Sequence, residues 1–548
     1  MSTPPAADER PPKLLDFSQE RIRVLHFTWI AFFMTFYVWF NMAPLTTTML
    51  DSEEWLTEDM IKVLLICNVA LTIPVRIVVG ALVDRFGSRI VYSALMCLMA
   101  IPTVAFAFGN SFMQLVISRL VLGSIGAGFV IGIKMVAQWF PPKYIGRAEG
   151  FYGGWGNFGA AAAAMTLPWI TLTVMDEWFG LDDDSWRWAL AANAAVLFAY
   201  GVLYYFLVKD TPEGKELPKA KKTEPMMCSS YGDLAQYLVW SFPLVGALGL
   251  LAWRISDVDV NGKPFLSSTT LWVIYAALAL IYVAHVIKTL HLNLPYLRRG
   301  VPEGEKYHWG SVAALNSTYF ANFGAELAVV SMLPAFFETV FKPLTNDSGS
   351  PLVTATVAGV LAASFPFINL VARPLGGLLS DRMGRRKHTM LIYMFGITVG
   401  FVLMGFIGKW GPVVDGERSV LPTSATLWWV VISVGFALFA SVFVQGGAGA
   451  TFAIIPMVNK RMTGQIAGMA GAYGSIGGVV YLVVYSLVDA KTFFYILAGG
   501  ALVSFTITLL MLREPERSFA ESLDYEVTPA GHAGAEPSST AEPAPQDT

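Results

Sequence analysis

The sequence predicts an all-α polytopic membrane protein: two matching six-helix bundles with an extra helical hairpin between them, fourteen spans in all. Three observations carry this. Only 14% of the 548 residues are charged and 55% are hydrophobic, whereas soluble domains carry about 25% charged residues. The apolar residues fall in runs of roughly 20, the length of a membrane-crossing helix, and do not alternate as barrel strands would. Finally, the chain repeats itself. V-R-I-V-V-G-A-L-V-D-R-F-G at 75–87 returns as A-R-P-L-G-G-L-L-S-D-R-M-G at 372–384.

Each copy places one arginine, Arg76 or Arg373, on an apolar segment eight residues before an Asp-Arg pair, Asp84-Arg85 or Asp381-Arg382. A second ladder repeats in the same order. Gly146, Gly150, Gly153, Gly156 and Gly159 have the spacing of Gly464, Gly468, Gly471, Gly474 and Gly477. Two motif pairs in matching order indicate a duplicated unit, the plan on which many transporters place a substrate near the bilayer midplane. An arginine inside a span is costly unless it meets an anion or a partner. Neither apolar stretch carries a carboxylate beside its arginine. The reading is therefore that both arginines grip one small oxyanion, whose flat face suits the planar fork of a guanidinium better than a lysine.

In chain order, a polar, Pro-rich tail (1–21) lacks the apolar core of a cleaved signal. The first bundle (22–208) has spans at 24–45, 61–83, 90–108, 112–140 and 148–174 and a sixth ending near Val208. The second (308–512) has spans at 309–340, 353–379, 389–407, 427–457, 464–487 and 493–512. Between them, 209–307 holds two runs, 234–253 and 271–290, each long enough to cross. They are read as a hairpin rather than as interfacial helices. The Ala/Glu/Pro/Ser-rich tail 513–548 cannot bury a core and is expected to be disordered. Basic residues gather in the tail, the 2–3 and 4–5 links and their counterparts, which places both termini in the cytoplasm and the chain in the inner membrane. No basic tract suggests nucleic acid. Cys67, Cys97 and Cys228 lack metal-ligand spacing, so no metal or cofactor is expected. No phosphate-binding loop points to direct ATP drive, and no nucleophile constellation points to an enzyme.

The motif G-x-L-x-D-R-x-G, present twice, resembles the loop motif of the major facilitator superfamily. G-G-W-G-N-F-G-A-A-A-A at 153–163 resembles the signature of its nitrate/nitrite porter family, as do 27–45 and Q-W-F-P-P-K-Y-I-G-R-A-E-G at 138–150. The resemblance implies the major facilitator fold and a secondary transporter, working as a monomer, that moves nitrate and nitrite by alternating access. It implies an anion site at Arg76 and Arg373, walled by Phe129, Tyr319 and Phe323, with Asn157 and its repeat counterpart Ser475 as neutral donors. Asp84, Arg85, Asp381 and Arg382 are gating candidates. Arg119, Lys134, Glu149 and Glu326 are the ionisable residues to consider for energy coupling, Glu326 as a proton carrier and Lys134 as a partner of Glu149 or of the exit path. Proton-coupled transport of another small anion, and a membrane sensor that binds nitrate without moving it, remain the alternatives.

Overall fold

The computed structural model describes residues 13–214, 225–302, 306–346, 348–407, 413–414, 417–418, 427–459 and 462–514. The tail expected to be disordered lies, beyond Glu514, outside the described residues, as does the side chain of Asp381. Among the described residues, 14 helices are long and apolar enough to cross a membrane. They are α1 (Glu20–Ser52), α2 (Glu58–Phe86), α3 (Ser88–Ala107), α4 (Phe112–Trp139), α5 (Arg147–Trp178), α6 (Asp182–Leu207), α7 (Tyr231–Ser256), α8 (Ser268–Arg299), α9 (Trp309–Phe341), α10 (Ala355–Ser380), α11 (Arg386–Met404), α12 (Trp428–Val458), α13 (Thr463–Leu487) and α14 (Ala490–Met511).

Every expected span is present, and the two central runs form long helices α7 and α8. They are joined by a short antiparallel turn, β1 (Asp259–Val260) with β2 (Lys263–Pro264). Local chemistry sets the boundaries. Thr57, Ser111 and Thr354 cap the starts of α2, α4 and α10 by accepting backbone N–H groups two or three residues into the helix. Gly87 and Gly384 end the two copies of the loop motif at φ +86° and +61°, where a side chain would be strained.

Two spans that hydropathy reads as continuous are interrupted at matching places. α2 breaks between Ala70 and Thr72, and α10 between Phe367 and Asn369. A proline explains the first: Pro74 would clash with the Ala70 carbonyl. α4 tightens into a 3₁₀ segment at Gly123–Ala127. α5 loosens into a π-helix at Ile170–Trp178, just after Pro168.

The glycine ladders join the halves. On α5, Gly156 and Gly159 lie against Phe32 and the Phe33 carbonyl of α1, while Gly150 and Gly154 lie against Pro374 and the Asn369 carbonyl of α10. On α13, Gly474 and Gly477 lie against Phe323 and the Phe320 carbonyl of α9, while Gly471 faces Arg76 of α2. Each ladder thus packs its own half on one side and the opposite half on the other, by the close approach small residues allow.

The hairpin sits on the seam between α2 and α13. Arg254 of α7 is buried, pairs with Asp59 at the start of α2, and donates to Ser486 Oγ of α13 at 2.8 Å. Tyr473 of α13 donates to the Trp240 carbonyl at 2.5 Å. α8 packs on α7 and turns Trp272, Leu280 and Ile287 outward.

Candidate functional site

Arg76 and Arg373 each follow the break in their span by one turn, and each is 6% exposed. Their anchors differ. Arg76 Nη1 donates to the Gly471 carbonyl at 2.5 Å. Arg373 Nη2 donates to the Tyr319 hydroxyl at 2.9 Å, and its Nη1 lies 4.0 Å from Glu326 Oε2. Both guanidiniums lie over the ring of Phe323, at 5.6 and 5.7 Å from its centroid. One positive charge from each half therefore reaches the same ring. Arg76 Nε and Arg373 Nη1 are buried with no hydrogen-bond acceptor among the described residues. Buried donors are seldom left so, because each unmade bond costs about 1–3 kcal/mol. The arrangement offers N–H groups to an acceptor held between them.

Aromatic rings enclose these donors. Tyr319 stacks on Phe323, with centroids 5.0 Å apart, and both lie against Gly474, where a side chain would collide with them. Phe129 lies 5.7 Å beneath the Arg373 guanidinium. Phe452 closes the cage, edge-on to Tyr319 at 5.1 Å and to Phe129 at 5.8 Å. The sequence reading missed Phe452. Its signal was in the repeat: G-A-G-F at 126–129 returns as G-A-T-F at 449–452.

Five of the seven expected binding residues, Arg76, Arg373, Phe129, Tyr319 and Phe323, thus come together. Asn157 is buried and turns its amide to the Gly153 carbonyl of its own helix at 2.8 Å, and its Oδ1 has no hydrogen-bond partner among the described residues. Ser475 is fully buried, and its hydroxyl has no partner among the described residues. Neither has a recorded contact with an arginine.

Of the coupling candidates, Glu326 is beside the site. It is 3% exposed, accepts from Asn369 Nδ2 at 2.7 Å, and faces Arg373. Lys134 pairs with Asp84 and donates to the Gly80 carbonyl at 3.2 Å, so its acidic partner comes from α2 rather than being Glu149. Glu149 has no ion pair among the described residues. Arg119 is fully buried and committed to the end of the first helical segment of α1, donating to Asn41 Oδ1 at 2.9 Å and the Trp39 carbonyl at 3.1 Å. Of the gating candidates, Asp84 meets Lys134, and Arg85 lies over the Phe86 ring at 5.2 Å. Arg382 borders an apolar groove of about 440 Å³ beside Tyr393 and Val442.

The family model of the Major Facilitator Superfamily matches residues 28–315 and 315–535. The chain is 43% identical to the nitrate/nitrite transporter NrtP of Nostoc punctiforme over 94% of this chain and 97% of that one. It is 39% identical to the protein of the same name from Picosynechococcus, over 91% and 94%. Its fold matches the partially occluded inward-open xylose transporter XylE of E. coli at a TM-score of 0.56 and 13% identity, covering 91% of this chain and 99% of that one.

Proposed function

Since the chain belongs to the Major Facilitator Superfamily and, within it, to the nitrate/nitrite porter family, we propose that it carries nitrate and nitrite across the cell's inner membrane by alternating access. The observation that carries this reading is the meeting of Arg76 and Arg373 on one Phe323 ring, one guanidinium from each half. A flat monoanion with two or three acceptor oxygens complements the donors left open there, and the rings of Phe129, Tyr319, Phe323 and Phe452 exclude water and so strengthen the attraction. The anion links the halves and the halves rock about it, on α5 against α10 and α13 against α2. Asn157 and Ser475 turn towards the anion in another stage of the cycle. The Asp84–Lys134 pair, with Arg85, Asp381 and Arg382, works the gate on the face that carries the basic links. That face is cytoplasmic by its charge, and both termini lie there. Each copy holds a complete site, so a monomer is the working unit.

A second reading, proton-coupled uptake of the same anions, draws on the buried carboxylate of Glu326 near Arg373. Purified protein in proteoliposomes separates the two. Labelled nitrate should enter faster when nitrite is loaded inside, with little response to an imposed pH gradient. A gradient-dependent flux indifferent to internal nitrite favours the second reading. Absence of nitrate flux under either condition rejects both.

A further inference from the structure

The two halves repeat their helices but not their charges. Gly159 of α5 abuts the Phe33 carbonyl and Tyr37 amide of α1, and Gly477 of α13 abuts the Phe320 carbonyl and Gly324 of α9. This registers α1 on α9 and makes Trp39 the counterpart of Glu326. Trp39 is a neutral residue that donates to the Asn68 carbonyl at 2.7 Å. Arg76 accordingly donates, among the described residues, to the Gly471 carbonyl alone, while Arg373 has Glu326 at 4.0 Å. Among the described residues, Glu326 is the one carboxylate recorded against either arginine. The Asn369 amide donates to this carboxyl at 2.7 Å, away from solvent.

We propose that Glu326 sets the net charge of the anion site at one positive unit, and thereby restricts the carrier to monovalent oxyanions and keeps their release fast. The proposal rests on the nitrate/nitrite reading above. Two guanidiniums and one carboxylate leave a single positive charge. A bound monoanion then neutralises the site, whereas a dianion leaves a net negative charge buried among aromatic rings. At the low dielectric of such a cage, one uncompensated charge outweighs any gain in hydrogen bonding. Without Glu326 the site would hold two positive charges, bind a monoanion too tightly to let it go, and welcome a dianion of similar size. Sulfate is the natural probe, having tetrahedral oxygens and twice the charge.

The test measures equilibrium binding of labelled nitrate to purified protein, its displacement by sulfate, and nitrate/nitrite exchange in proteoliposomes, for wild type, Glu326→Gln and Glu326→Asp. Glu326→Gln should lower the nitrate Kd at least about tenfold, slow exchange, and let sulfate compete where wild type ignores it. Glu326→Asp draws the carboxylate back by one methylene, so it should tighten nitrate binding by about two- to threefold while still excluding sulfate. Nitrate affinity in Glu326→Gln that is unchanged or weaker, with sulfate still inert, overturns the proposal. Should Glu326→Gln fail to fold, a Glu326→Asp protein that binds nitrate no more tightly than wild type overturns it as well. Wild type that does not bind nitrate rejects the functional reading instead.

Discussion

Phe129 and Phe452 meet edge to face, their centroids 5.8 Å apart and their planes at 70°, and they hold the same place in the two repeats. The contact joins α4 to α12 across the interface of the halves, beside the Arg373 guanidinium that Phe129 faces. A ring pair of this kind contributes beyond its buried area because its edge and face are electrostatically complementary. Phe452→Ala should raise the KM for nitrate by about tenfold and admit a leak of nitrate without exchange. Phe452→Tyr should keep wild-type exchange. Both are read in proteoliposome uptake.

The different anchors of the two arginines predict different costs. Arg76→Lys removes a fork whose one acceptor among the described residues is a backbone carbonyl, so nitrate exchange should fall at least about 100-fold with little change in thermal stability. Arg373→Lys should lose exchange as well. It also loosens the partner of a buried carboxylate, an effect of up to about 3 kcal/mol, so its melting temperature should drop clearly below that of Arg76→Lys. Uptake and thermal unfolding of the two variants, side by side, check the split.

Asp210 and Glu514 predict a paired effect on stability. Asp210 accepts the Arg89 amide at 2.8 Å at the start of α3, and Glu514 accepts the Arg386 and Lys387 amides at 2.5 and 3.0 Å at the start of α11. Each is a carboxylate at the positive end of a helix in corresponding halves. Asp210→Asn and Glu514→Gln should each cost about 1 kcal/mol and lower the unfolding temperature by a few degrees, leaving the nitrate KM as in wild type.

Arg254 ties the halves at the end opposite the basic links, through Asp59 of α2 and Ser486 of α13. Replacing it by Met should shift the population towards the state open at that end. Spin labels at Glu54 and Ser350, both exposed on that face and in different halves, should then show a longer mean distance in Arg254→Met than in wild type. An unchanged distance distribution would mean the tie does not restrain the seam.

Much of this was legible in the sequence because a membrane span and an internal duplication both leave marks along one dimension. Length and apolarity located all fourteen helices, and the duplicated motif located Arg76 and Arg373. What was not legible lies between spans. Lys134 was left open between Glu149 on the next helix and the exit path, because nothing along the chain marks Asp84, fifty residues earlier, as its partner. Glu326 was noted as ionisable, but nothing in the chain announces that it faces Arg373 rather than solvent, or that its counterpart is the neutral Trp39. The breaks in α2 and α10 were missed for a different reason. Hydropathy does not respond to backbone geometry, although Pro74, which makes the first break, stood in plain view.

Those breaks have one more effect. Leu71 and Ile368, the residues between the segments, keep right-handed helical angles, so each span is loosened locally rather than ended. The segments Thr72–Phe86 and Asn369–Met383 each begin four residues before their arginine. Each guanidinium therefore sits one turn past a joint, where a small change of angle between segments would carry its charge along without any change of rotamer.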